Sequence, residues 1–153
     1  MQIIASGIGD TTGIGFPLID YHVHLTDKFT IEMAVEQSQK IGVKFGIVEH
    51  PGPRYGLMND DELSNYIEIL RAYPVYAGLQ PMYRDWQGLF SKELVQQLDF
   101  ILMDADTVPV GQDNYLDLWR HNNYLEDVDA FMDLYMAHIE NILRHDPITI
   151  FSR

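Results

Sequence analysis

The chain contains no cysteine. Disulfides and thiolate metal sites are therefore excluded, and histidine and carboxylate remain as the strong metal ligands available, a donor set that favours a hard or borderline divalent ion. Basic residues are scarce, 10 Lys and Arg against 23 Asp and Glu, for a formal net charge of −13. That balance disfavours nucleic acid and anionic membrane surfaces as partners, and no helix carries a local basic patch to override it. No apolar run is long enough for a membrane span, and the opening Met1-Gln2-Ile3-Ile4-Ala5-Ser6-Gly7 lacks the basic start of a secretion signal, so a cytoplasmic location is expected. Glycine is missing from His24 to Thr30, which argues against a nucleotide-binding turn after the first strand; Gly7, Gly13 and Gly15 precede it, in a flexible lead-in over 1–16.

What is present is a 153-residue chain, 46% hydrophobic, sufficient for one domain with a substantial core. Short β-rich runs alternate with amphipathic segments. Strand one is read over Pro17 to Leu25, and its helix starts at Thr30 as N-cap and stops at Gly42. Strand two spans Lys44 to Glu49; Asn59 and Glu62 then stand in capping-box spacing before Leu63, Tyr66, Ile67 and Leu70. Strand three is Val75 to Gln80, Ser91 caps a short helix, and strand four is Phe100 to Ala105. The stretch from Thr107 to Asn123 reads as an irregular lid. A helix from about Val128 to Arg144 follows, with Val128, Phe131, Met132, Tyr135, Ile139, Ile142 and Leu143 as its buried stripe and His138 and His145 at the surface. The acids from Glu126 to Asp129 oppose its macrodipole.

Alternating strands and helices imply βαβ units around a parallel sheet. The fold expected is α/β, a parallel (β/α) barrel of TIM type over 17–153, truncated to about four and a half units because Pro147 to Phe151 reads as a fifth strand and the sequence ends there. A fragment, an open doubly wound sheet, or a homo-oligomer in which two half-barrels close on each other would each accommodate that length.

The chemistry concentrates in Asp20-Tyr21-His22-Val23-His24. Alternation along a strand puts Asp20, His22 and His24 on one face, so the two imidazoles can share a cation. Phasing the other strands on this pair turns Gly46, Val48 and His50 inward and Phe45 and Ile47 toward the helices, making His50 a third ligand or a proton donor. Gln80 ends strand three, where its amide can orient water or substrate. Asp104 and Asp106 end strand four; one can complete a His/His/Asp set or act as general base. Arg54, Arg84 and Arg120 lie in successive strand-to-helix loops beside aromatics, which suggests a small-molecule substrate carrying a carboxylate or phosphate.

The Asp-x-His-x-His motif at 20–24, Glu49-His50 after strand two and Gly78-Leu79-Gln80 after strand three resemble the PHP (polymerase and histidinol phosphatase) domain and, more loosely, the amidohydrolase superfamily. The run from Asp99 to Trp119, with Phe131-Met132-Asp133 and Pro147-Ile148-Thr149-Ile150, looks like metal-dependent hydrolase-like proteins related to both. The resemblance implies a barrel that hydrolyses phosphoesters or C–N bonds with divalent ions such as zinc, manganese or iron. It makes His22 and His24 ligands and matches His50 to the histidine after strand two. This chain departs from the pattern at Gln80, where a bridging glutamate is usual, and at Asp104 and Asp106, near the usual place of a histidine. It also lacks the amidohydrolase lysine at strand four. The function expected is that of a metal-dependent hydrolase; the alternative is a truncated or degenerate barrel that binds metal or ligand, or assembles, without catalysis.

Overall fold

The structure is a computed structural model that describes residues 16–52, 56–82, 84–111, 114–121 and 124–152. The lead-in at 1–15 and Arg54 lie outside the described residues, as does the side chain of Arg84. Five parallel strands form one sheet: β1 (Leu18–Val23), β2 (Val43–Glu49), β3 (Tyr76–Leu79), β4 (Phe100–Asp104) and β7 (Ile150–Ser152), in the order β1-β2-β3-β4-β7. Between β4 and β7 the chain makes a two-stranded antiparallel sheet, β5 (Thr107–Gly111) with β6 (Asn114–Asp117), and four helices complete the described residues.

Local sequence accounts for the helix boundaries. Thr30 caps α1 (Ile31–Ile41) by accepting from the Met33 N–H, and Gly42 ends it. At α2 (Asp60–Arg71) the Glu62 N–H donates to Asn59 Oδ1 at 3.0 Å while Glu62 Oε2 accepts from the Met58 N–H at 2.7 Å, a capping box whose return bond lands one residue early. Ser91 precedes α3 (Lys92–Val95) but makes no side-chain cap hydrogen bond. Asp127 caps α4 (Val128–His145) through the Ala130 N–H.

The helices pack on one face of the sheet. Phe45, Ile47 and Ala77 meet Ile31, Ala34 and Leu70; Leu79 and Ile101 meet Leu63 and Ile67; Met103 meets Ile142. Tyr66 fastens α2 to two strands, its hydroxyl shared between the carbonyls of Ile47 and Gly78 at 3.0 Å each, and burial pushes its pKa up. On the other, concave face Val48, Phe100 and Leu102 cluster with Tyr21, Tyr76 and Ile150. Phe100 lies over Gly46 and Gly78: a methyl at 78 would sit 2.3 Å from its ring and one at 46 would sit 2.8 Å away. Only glycine leaves room for the ring there.

The expected TIM-type barrel is overturned. The five parallel strands curl into a half-barrel whose edge strands, β1 and β7, do not pair, and the fourth strand-to-helix connection is itself a β-hairpin. Strand–helix alternation dictates parallel pairing and crossovers; it does not dictate closure, which needs matching tilt and stagger around a full ring. The irregular lid expected at 107–123 is likewise replaced, over its first part, by β5 and β6.

Two further expectations fail on α4. Its buried residues are Tyr135, His138 and Ile142, whereas Val128, Met132 and Leu143 are exposed and His138 lies inside. The helix carries apolar residues around more than half its circumference, so periodicity alone does not select the packed stripe. Among the described residues no helix is long and apolar enough to cross a membrane.

Candidate functional site at the carboxyl edge of the sheet

The parallel strands end in polar residues that continue the concave face. The face holding Val48 continues to His50, that of Gly78 to Gln80 and that of Leu102 to Asp104. Strand β1 reaches the same place through an irregularity. Asp20 pairs with Phe45 and Val23 with Ile47, three steps on β1 against two on β2, which is a β-bulge. The extra residue lets Tyr21 pack on the concave cluster while Val23 and Leu25 return to the helix side. His22 and His24 consequently face the concave side and Asp20 does not. The expectation that Asp20 shares the histidines' face is corrected; Asp20 Oδ1 instead accepts from the His22 N–H at 3.0 Å.

Gln80 is the hub of the cluster and is 3% exposed. Its Oε1 lies 3.1 Å from His22 Nε2 and 2.7 Å from His24 Nε2, so both imidazoles donate to one oxygen. Its Nε2 donates to Asp104 Oδ2 at 3.3 Å, and this fixes which end of the amide faces which neighbour, because a carboxylate accepts. His50 Nδ1 donates to the Gln80 main-chain carbonyl at 3.0 Å. The His24 ring stacks on His50 with centroids 4.9 Å apart and meets His22 edge-on at 5.3 Å. Burial first, and then the neighbouring His50, lower the His24 pKa below that of an ordinary histidine, against the opposing hydrogen bond to Gln80. His24 thus stays neutral to lower pH.

An open pocket of about 380 Å³ is lined by His22, His24, His50, Gln80 and Asp104, with Met82 and Trp119 as further walls. Met82 and Trp119 were not anticipated as site residues. An aromatic in the stretch after strand four was the available signal for Trp119, and nothing marked Met82. Asp104 Oδ1 accepts from the Asp106 N–H at 3.1 Å. The Asp106 side chain is not part of the pocket lining; its carbonyl accepts from the Leu118 N–H at 2.7 Å and so ties the end of the hairpin to β4. Arg120 also stands off the pocket: its Nε is 3.0 Å from Asp117 Oδ2 and its guanidinium stacks on Trp119 at 4.9 Å from the ring centroid.

As a test of metal fit, two imidazole nitrogens converge on a single point, and a third imidazole and a carboxylate line the same pocket. That point is held by the Gln80 oxygen, and among the described residues no three His, Cys, Asp or Glu side chains close on one centre. A divalent ion at His22 and His24 requires the other tautomer of both rings, with Nε2 unprotonated, and displacement of the Gln80 oxygen that now accepts from them. Comparison with protein-family models, curated proteins and solved structures gave no match to this chain.

Proposed function

We propose that the carboxyl edge of the sheet is the reaction site of a metal-dependent hydrolase acting on the phosphoester or C–N bond of a small molecule. The observation that supports this reading most is the convergence of His22 Nε2 and His24 Nε2 on one oxygen, in a pocket that His50 and Asp104 also line. His22 and His24 would hold a zinc, manganese or iron ion in the pocket that His50 and Asp104 also line. When bound, such an ion supplies Lewis acidity toward the scissile group.

The chain's own residues have separable tasks. The lowered pKa of His24 keeps its ring uncharged, the form a cation requires. Asp104, oriented by Gln80 Nε2 and the Asp106 N–H, takes the proton from the attacking water. His50, with Nδ1 anchored on the Gln80 carbonyl, delivers a proton to the leaving group. Met82 and Trp119 supply apolar surface that limits water at the substrate. Arg120 is paired with Asp117 and stands off the pocket, so it gives an anionic substrate no support; Arg54 and the side chain of Arg84 lie outside the described residues.

The test is turnover of p-nitrophenyl phosphate and p-nitroacetanilide by chelator-stripped protein with and without added zinc or manganese. Ion-dependent turnover that falls at least about 100-fold in Asp104→Asn is expected; turnover indifferent to both contradicts the reading. Ion binding without turnover is the second reading, favoured by Asp104, whose two carboxylate oxygens both already accept hydrogen bonds. Retained ion binding with neither substrate cleaved would select it.

A further inference from the structure

The histidine pocket has an apolar part, formed by Met82 and Trp119. A single exposed tryptophan on a loop is ordinary for a protein surface. Trp119 differs in being both open and held. Its main chain is tied on either side, with the Leu118 N–H donating to the Asp106 carbonyl at 2.7 Å and the Arg120 N–H to the Asp117 carbonyl at 3.1 Å. The Arg120 guanidinium covers one face of the indole, 4.9 Å from the ring centroid. That guanidinium is itself anchored. Its Nε stands 3.0 Å from Oδ2 of Asp117, a residue 8% exposed whose Oδ1 accepts from the Thr107 hydroxyl at 3.3 Å.

Arg120 does not line the pocket, whereas Trp119 does. The pocket therefore meets indole surface that the guanidinium leaves bare, and a tryptophan still 50% exposed with one face covered has its second face open. An indole ordered before a ligand arrives leaves less freedom to be lost on binding. An open, oriented indole face receives a flat ring well, and the Met82 thioether likewise favours aromatic contact. His22, His24, His50, Gln80 and Asp104 make the rest of the lining polar, so the apolar part of a substrate has Met82 and Trp119 to lie against.

We infer that Trp119 is the stacking platform of this pocket and that its substrate carries an aromatic ring, laid on the open indole face with the scissile bond toward the histidines. Cleavage of that bond rests on the hydrolase reading, whereas recognition of the ring rests on Trp119. Arg120 and Asp117 are positioning residues that hold the indole.

The probes are benzamide and cyclohexanecarboxamide, uncharged amides of similar size of which only the first has an aromatic face, titrated into the ¹⁵N-labelled full chain. The chain has two tryptophans, so Trp119→Leu assigns the two indole N–H resonances. Benzamide should shift the Trp119 resonance saturably with a Kd of about 10 mM or tighter and leave that of Trp86 in place, and cyclohexanecarboxamide should bind at least about threefold more weakly. Followed through the backbone amides of the pocket, Trp119→Phe should keep that preference and Trp119→Leu should lose it. Stacking is overturned if the Trp119 resonance has not moved by about 50 mM benzamide, if both tryptophans shift together, if the two amides bind alike, or if Trp119→Leu retains the preference. Ion-dependent turnover beside an unmoved Trp119 resonance would remove the platform and leave the hydrolase; a saturable, selective shift without turnover would do the reverse.

Discussion

Two zones of the concave face lie a single side-chain repeat apart on the same strands and do opposite work. Val48, Gly78 and Leu102 border an apolar trough filled by Phe100; His50, Gln80 and Asp104, two residues further along each strand, form a polar cluster joined through one amide. The trough is closed by shape, because glycines at 46 and 78 admit the ring. The cluster is closed by hydrogen bonds, because Gln80 satisfies two histidines and an aspartate at once. Apolar packing and the polar cluster are thus separated by position along a strand, and substitutions in one zone should leave the other's property largely intact.

The sharpest way to break this separation is Phe100→Ala, which empties the trough. It should cost about 3–5 kcal/mol in urea unfolding, as for other buried aromatics. A destabilised chain that still binds zinc under native conditions would uphold the division, and selective loss of zinc binding without loss of stability would refute it. Gly78→Ala comes next: the new methyl meets the Phe100 ring at 2.3 Å, so overpacking of about 1–3 kcal/mol is expected. Combining Gly78→Ala with Phe100→Leu should recover part of that cost, and strict additivity of the two would show that the ring is not the obstacle.

On the polar side, Gln80→Glu replaces the neutral oxygen between two imidazoles with a carboxylate. Affinity for divalent ions should rise about tenfold or more, measured by calorimetry. Weaker binding would mean that Gln80 supports the ion rather than competing with it. The smallest effect concerns pH. The pKa of His24 is lower in the folded chain than its ordinary 6.5, so between those values the unfolded chain binds more protons and stability falls as pH drops from 7 through that window. His24→Gln should flatten this slope in urea midpoints taken from pH 7 to 5. An unchanged slope would assign the dependence to another group.

Sequence pattern located much of this. Strand parity identified His22, His24, His50, Gln80 and Asp104 as residues of one edge, because period-two alternation is a strong constraint where one face is covered by helices. It misplaced Asp20, since a bulge after that residue shifts the phase and leaves no mark in the composition. The β5–β6 hairpin had a signal in Thr107-Val108-Pro109-Val110-Gly111, where β-branched residues lead to a turn glycine, but the proline made the run read as loop. The packed side of α4 was ambiguous for a different reason. Met132, Met136 and Leu143 are as apolar as Tyr135 and Ile142, and only the tertiary contact distinguishes them. Closure into a full barrel was not legible at all, because it depends on how the two edge strands meet.

The central claim is that His22 and His24 share one cation. Zinc titration of the purified chain beside its His22→Ala, His24→Ala variant, with folding of both verified by circular dichroism, tests it most directly. The account predicts one saturable high-affinity site in the parent and at least about a hundredfold loss in the variant. Equal affinity in two folded samples would contradict it.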